Sequence, residues 1–251
     1  MTRQEIMHTL KCDYNAFTEK GLEIFGIFAF GSFNYGTETE NSDVDVKLIS
    51  ISSFDTSKTY FRGDTEGQIM IYSIDDFLKE LATGYHVWYE ILYTDYYVIN
   101  PKYRQEWKKV LELRDQLVEE TLEKHLNAEL ACFMEQLLIL SFGKGEKEKE
   151  NKRISHMLRL EDLINRLMNG ERYPSVQRVS KEVGKKISKL KKQTPLSVEE
   201  CQQEAIKICD RAEDAVESFL NNNKPISSTA TFEKISQLML SVKEEGSGTE
   251  V

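Results

Sequence analysis

The sequence predicts an α+β fold: a small sheet with flanking helices, followed by an all-α helical domain. Three features lead there. Within the first hundred residues, "LEIFGIFAF", "VDVKLISIS" and "GQIMIYS" are short apolar runs rich in β-branched or aromatic side chains. From Pro101 the spacing of apolar residues turns helical and stays so through most of the remaining chain. At 251 residues the chain can bury a core without disulfide or metal staples.

The elements follow in order. Residues from about Thr2 to Lys20 form a helix pattern with Ile6, Leu10 and Phe17 among its apolar positions. Gly21 and Gly31 bound the first strand, "VDVKLISIS" alternates as a second should, and "GQIMIYS" is a third. Ser73 can cap the next helix, "IDDFLKELAT", with Asp76 supporting it three residues on, and the helix stops near Gly84. "HVWYEILY" suggests a further short helix. Pro101 opens a helical stretch that runs to Phe142, and "GKGEKEKE", residues 143–150, reads as a polar connector. "NKRISHMLRLEDLINRLMN" is helical and ends at Gly170 in the manner of a C-cap. Two more helices are expected, one through a basic stretch and one from Ser197 to Leu220. The expected organisation is a sheet-containing core at residues 1–100 and a helical domain at 101–222. Residues 223–251 would be a short helix and a tail whose end, "KEEGSGTEV", has a disordered composition.

Composition is that of an ordinary cytosolic protein, with 40% hydrophobic and 30% charged residues. Cys12, Cys132, Cys201 and Cys209 show no metal-ligand spacing and fit reduced, structural thiols. The first residues lack the apolar core of a signal peptide, and no run approaches transmembrane length, so a cytoplasmic location without membrane contact is expected. The net charge of −9 argues against a chain that coats nucleic acid indiscriminately. One segment departs from that balance. From Arg178 to Lys192 the chain holds seven basic residues and one acid, and Arg178, Lys181, Lys185, Lys189 and Lys192 recur at helical spacing. A solvated helix face and a phosphate-contacting surface both fit that pattern.

The stretch "FGIFAFGSFNYGTETENSDVDVKLIS", Phe25 to Ser50, concentrates the chemistry. Strand side chains alternate, so Asp43 and Asp45 share one face while Val44 and Val46 enter the core. Their Cα atoms would lie roughly 6–7 Å apart. Two carboxylates that close are unfavourable without a cation between them. Magnesium prefers such oxygens and leaves room for water and substrate phosphates. Gly31 ends a strand where the backbone must turn sharply or approach a ligand. If Ser32 starts a helix, its hydroxyl and the free amide groups there would make a phosphate cradle, and Gly36 allows a second close approach.

In this order, "GSFNYGTETENSDVDVK" resembles the signature of the nucleotidyltransferase superfamily that includes DNA polymerase beta. The Tyr-Gly-Thr ahead of Ser-Asp-x-Asp is similar to a bacterial and phage branch of stand-alone nucleotidyltransferases. "IMIYSIDDFLKELATGYHVWYEILYT" resembles the next segment of that branch, with Tyr72, Phe77, Leu81, Gly84 and Glu90 in place. "KRISHMLRLEDLINRLMNGERYP" is similar to its helical-domain pattern of Lys, His-x-x-Arg and a closing Gly-Glu. The likeness runs from about Phe25 to Pro174 and implies the small mixed-sheet nucleotidyltransferase fold.

The resemblance implies that Asp43 and Asp45 bind metal and that Gly31 and Ser32 contact the triphosphate. Lys47 falls where the branch often has Arg; it shares the aspartates' strand face and could meet a phosphate or temper their repulsion. Lys152, His156 and Arg159, spaced four and three apart, share a helix face and could meet the triphosphate or base. His125 has no such support and reads as structural. The superfamily's third carboxylate should stand on a neighbouring strand, where the alignment puts Gln68. Glu66, on the same strand face, is the expected substitute, with Asp64 just before it as the alternative. The branch's Asn-Pro dipeptide is replaced by Tyr85-His86.

The expected function is transfer of a nucleoside monophosphate from an NTP to an acceptor with release of pyrophosphate. Magnesium or manganese would assist, with two ions when the NTP is bound. The acceptor could be RNA such as a tRNA end, a protein side chain or a small molecule. The alternative is a nucleotide-binding or regulatory protein that keeps the fold but is catalytically impaired.

Overall fold

The computed structural model describes residues 1–40, 42–51, 58–61, 67–142, 147–192 and 196–247. The chain forms two units, Met1–Glu120 with Ser228–Val251, and Thr121–Ser227.

The first unit is built on a five-stranded mixed sheet. Its strands are β1 (Ile24–Phe30), β2 (Asp45–Ser50), β3 (Lys58–Phe61), β4 (Gln68–Ser73) and β5 (Tyr97–Ile99), in the order β3-β4-β2-β1-β5. β2 and β4 run parallel, with Val46 opposite Ile69, and the other neighbours are antiparallel. In the β1–β2 register Phe30 pairs with Asp45 and Phe28 with Lys47. Three strands match the sequence expectation. β3 and β5, four and three residues long, carry too little pattern to be read alone.

Each sheet face is covered by helices that the sequence predicted. Helix α1 (Arg3–Glu19) starts at a Thr2–Glu5 capping box and lays Ile6, Leu10 and Phe17 against Ile27, Ala29, Val46, Leu48, Ile69 and Ile71. After β1 comes the one-turn helix α2 (Ser32–Tyr35), held down by Phe33 in the same core. Helices α3 (Ile74–Leu81), with the expected Ser73–Asp76 capping box, and α4 (His86–Tyr93) follow β4. Trp88 of α4 meets the Tyr72 ring edge-on at 4.6 Å, on the opposite face of the sheet from α1.

The boundary expected near residue 100 lies instead at Glu120. Helix α5 (Arg104–Glu120) belongs to the sheet unit because Trp107 packs on Phe25 and Phe28, with ring centroids 5.8 and 5.1 Å away. The helix expected after residue 223 is long. Helix α11 (Ala230–Ser247) returns to this unit, where the Thr231 N–H and hydroxyl donate to the Glu120 carboxylate at 3.0 and 2.8 Å. Residues 243–247 of the segment expected to be disordered are helical; 248–251 lie outside the described residues.

The second unit is helical: α6 (Leu122–Phe142), α7 (Lys147–Met168), α8 (Tyr173–Val176), α9 (Lys181–Lys192) and α10 (Val198–Asn222). The polar connector expected at 143–150 is shorter, since α7 already begins at Lys147. Gly170 follows α7 with φ 77°, as a C-cap glycine does. Burial raises the thiols of Cys201 and Cys209 to about 11, consistent with structural cysteines. Among the described residues no helix is long and apolar enough to cross a membrane.

Candidate active site

The site begins where β1 ends. Gly31 adopts φ 87° and ψ −147°, a conformation open essentially to glycine, and this turns the chain into α2. Gly36, left-handed at φ 69°, closes the turn with its N–H on the Ser32 carbonyl. A polar loop then comes back to the sheet. Its last bend is pinned between Thr39 and Ser42, with the Thr39 N–H donating to Ser42 Oγ at 2.7 Å and the Ser42 N–H to the Thr39 carbonyl at 3.1 Å. Asp43 follows, one residue before buried Val44, and Asp45 opens β2.

The alternation read from "SDVDV" holds: Val44 and Val46 are in the core while Asp43 and Asp45 are half-buried. Strand pairing brings the two walls of the site together. A Cβ placed on Gly31 would lie 3.6 Å from Asp45 Oδ2, so bare backbone faces the carboxylate there. The other oxygen, Oδ1, accepts the backbone N–H of Gln68 at 3.2 Å. Gln68 is the first residue of β4 and stands beside Asp45, the neighbouring-strand position at which the alignment put it. Glu66 and Asp64 lie outside the described residues.

Lys47 shares the strand face of Asp45, but α4 covers that face one step further along. The side chain is 2% exposed, and its Nζ donates to the Val87 carbonyl at 2.6 Å. The ammonium lies 4.5 Å from the Phe30 ring centroid and 4.4 Å from that of Trp88. Burial pushes its pKa down to about 8, against an opposing pull from Glu90 and Glu80. The structure thus encloses Lys47 in an aromatic pocket.

A buried polar network lies behind the Gly-Ser turn. Tyr35 of α2 donates its hydroxyl to Glu90 Oε1 at 2.5 Å, and His86 Nε2 lies 3.8 Å from the same oxygen. Glu90 is 1% exposed. Next to it the Asn34 amide donates to the Ala29 carbonyl at 3.1 Å and accepts the Thr94 hydroxyl at 2.9 Å. Sequence reasoning gave these residues no role. The available signal was Glu90 itself, one acid inside "HVWYEILY", which must find hydrogen-bond partners once that helix is buried.

Lys152, His156 and Arg159 all lie on α7 in the second unit, and their environments differ. Lys152 is exposed, whereas Arg159 is 4% exposed. Half-buried His156 has Nε2 3.8 Å from Cys132 Sγ of α6 and Nδ1 3.2 Å from the Arg159 guanidinium. His125 is buried on α6 with its ring 5.8 Å from that of Tyr173, as a structural histidine would be.

No curated protein matches the chain. The family model of the nucleotidyltransferase domain matches residues 15–130, a span that includes the Gly31–Ser32 turn, both aspartates and Gln68. Residues 15–130 thus match a nucleotidyltransferase domain of the superfamily that includes DNA polymerase beta.

Proposed function

We propose that the chain transfers a nucleoside monophosphate from an NTP to an acceptor and releases pyrophosphate. The observation that carries this reading is the closeness of bare backbone at Gly31 to the Asp45 carboxylate, 3.6 Å from a Cβ position to Oδ2. Gly31 leaves room for a phosphate, and Ser32 would donate its hydroxyl to a phosphate oxygen. Phosphate and carboxylate repel at such separations unless they share a cation. Asp43 and Asp45 offer the hard oxygen donors that suit magnesium or manganese. Among the described residues no group of three or more His, Cys, Asp and Glu forms a metal site. Two aspartates suit an ion that keeps water and phosphate oxygens among its ligands. When bound, such an ion would neutralise charge developing at the α-phosphate and on the leaving pyrophosphate.

One observation favours a second reading, a nucleotide-binding protein without turnover. Gln68 stands beside Asp45 with its N–H on Oδ1, and a neutral amide side chain cannot take the acceptor's proton. The two readings separate when each labelled NTP is incubated with magnesium or manganese and cell extract. Wild type is expected to transfer label and release pyrophosphate, and Asp43→Ala/Asp45→Ala to lose activity on the order of 10²–10³-fold. Metal-dependent NTP binding with no transfer supports the second reading. Binding that survives unchanged in the double variant would put the nucleotide elsewhere.

A further inference from the structure

The second unit contains a charge feature that nucleotide transfer leaves unexplained. Its α9 helix lies in a segment, residues 178–192, with seven basic residues and one acid, inside a chain of net charge −9. At about 100° per residue, Lys181, Lys185, Lys189 and Lys192 fall within an arc of roughly 80°. The inward-turned residues Val183, Ile187 and Leu190 lie on the opposite side; Ile187 is buried and the other two half-buried. The four lysines are therefore a continuous exposed stripe roughly 16 Å long, with a cation about every turn.

The lysines of the stripe are not absorbed by local acids. Glu182, the acid of the segment, is 3.3 Å from Lys186, which projects to the flank. Among the described residues the four stripe lysines form no ion pair. The neighbouring groove between α7, α9 and α10, about 740 Å³, contrasts with this. Its charges are largely matched, Arg211 with Glu161 at 2.7 Å and Lys207 with Glu204 at 3.9 Å. Lys189 stands at the edge of that groove, while Lys181, Lys185 and Lys192 lie outside it on the exposed face of α9.

We propose that this lysine stripe is a docking surface for RNA, holding the phosphates of a folded stem. The chemistry of the stripe favours a duplex over a membrane surface or a single strand. A membrane-surface helix needs apolar side chains beside its lysines to insert, and here they are turned into the unit. A single-strand binder needs aromatic platforms for the bases, and the stripe carries none. Lysines alone contact backbone, so recognition follows the shape of a duplex and not its sequence. This goes beyond the transfer reaction and is read without turnover, so the two stand or fall separately.

The test uses the full chain and fluorescence anisotropy with a labelled RNA hairpin of arbitrary sequence. Parallel arms use duplex DNA of matched sequence, poly-glutamate, and phosphatidylserine-containing vesicles. Wild type is expected to bind the RNA hairpin most tightly. Lys181→Gln/Lys185→Gln/Lys189→Gln is expected to lose about tenfold or more in affinity, and its salt slope to fall by about 3. A far-UV helical signal and urea midpoint at the wild-type level would show that the variant's helical unit is folded. Lys181→Arg/Lys185→Arg/Lys189→Arg, which keeps the charge, should retain RNA binding. RNA affinity unchanged in the glutamine variant overturns the proposal, as does tighter binding to DNA, poly-glutamate or vesicles.

Discussion

Gly31 sits in a backbone region that costs other residues about 1–3 kcal/mol. Gly31→Ala should lower the urea midpoint for that reason. It should also weaken NTP binding, because its methyl would stand 3.6 Å from Asp45 Oδ2. Urea unfolding and an NTP titration separate the two effects, and unaltered binding would remove phosphate from this turn. Gln68→Glu asks a different question. It supplies a carboxylate beside Asp45 where the superfamily keeps its third acid, and base catalysis is typically worth about 10²–10⁴-fold. Turnover with saturating magnesium should rise by about tenfold or more. A fall would mean that the third charge already comes from elsewhere in the site. The placement of Asp43, Asp45, Gly31 and Ser32 at neighbouring strand ends was legible because residue type and spacing encode it within one short stretch. The enclosure of Lys47 was not, since the Val87 carbonyl and Trp88 ring that surround it lie forty residues later.

At the scale of elements, α2 is tied to α4 and to the residue after it. Tyr35→Phe leaves the buried Glu90 carboxylate short of one donor, a loss of about 1–3 kcal/mol. Because Tyr35 lies in the same single turn as Ser32, KM for the NTP should rise as well. A stability loss with KM unmoved would mark the bond as purely structural. The α5–α11 junction gives a pH prediction. Hydrogen bonds from the Thr231 N–H and then its hydroxyl hold Glu120 down at about 2. A carboxyl lowered on folding stabilises fully above its unfolded value, and that contribution is lost as pH falls toward 2. Thr231→Val removes the hydroxyl donor. Its urea midpoint should trail that of wild type at pH 7, and the gap should narrow between about pH 4.5 and 2. A constant gap would assign the hydroxyl's contribution to packing.

For the whole molecule, the two-part plan was visible in the switch of hydrophobic period, but its seam was not. α5 ends at Glu120 and α6 begins at Leu122, so helical spacing barely pauses there. Only contacts distant in sequence, Trp107 on the sheet and Thr231 on Glu120, show which side each helix joins. Trp88 and Trp107, the chain's two tryptophans, both lie in the first unit, so tryptophan fluorescence reports on it alone. A chain ending at Ser227 should show a lower fluorescence midpoint in urea, while most of its helical far-UV signal persists to higher denaturant. Coincident midpoints would show that α11 is dispensable to the sheet unit. The return of α11 also sets an order of assembly during synthesis. Residues 121–227 leave the ribosome before the helix that finishes the unit begun at residue 1. The inserted helical unit is therefore available to fold before the sheet unit gains its last wall, which waits for residues 230–247.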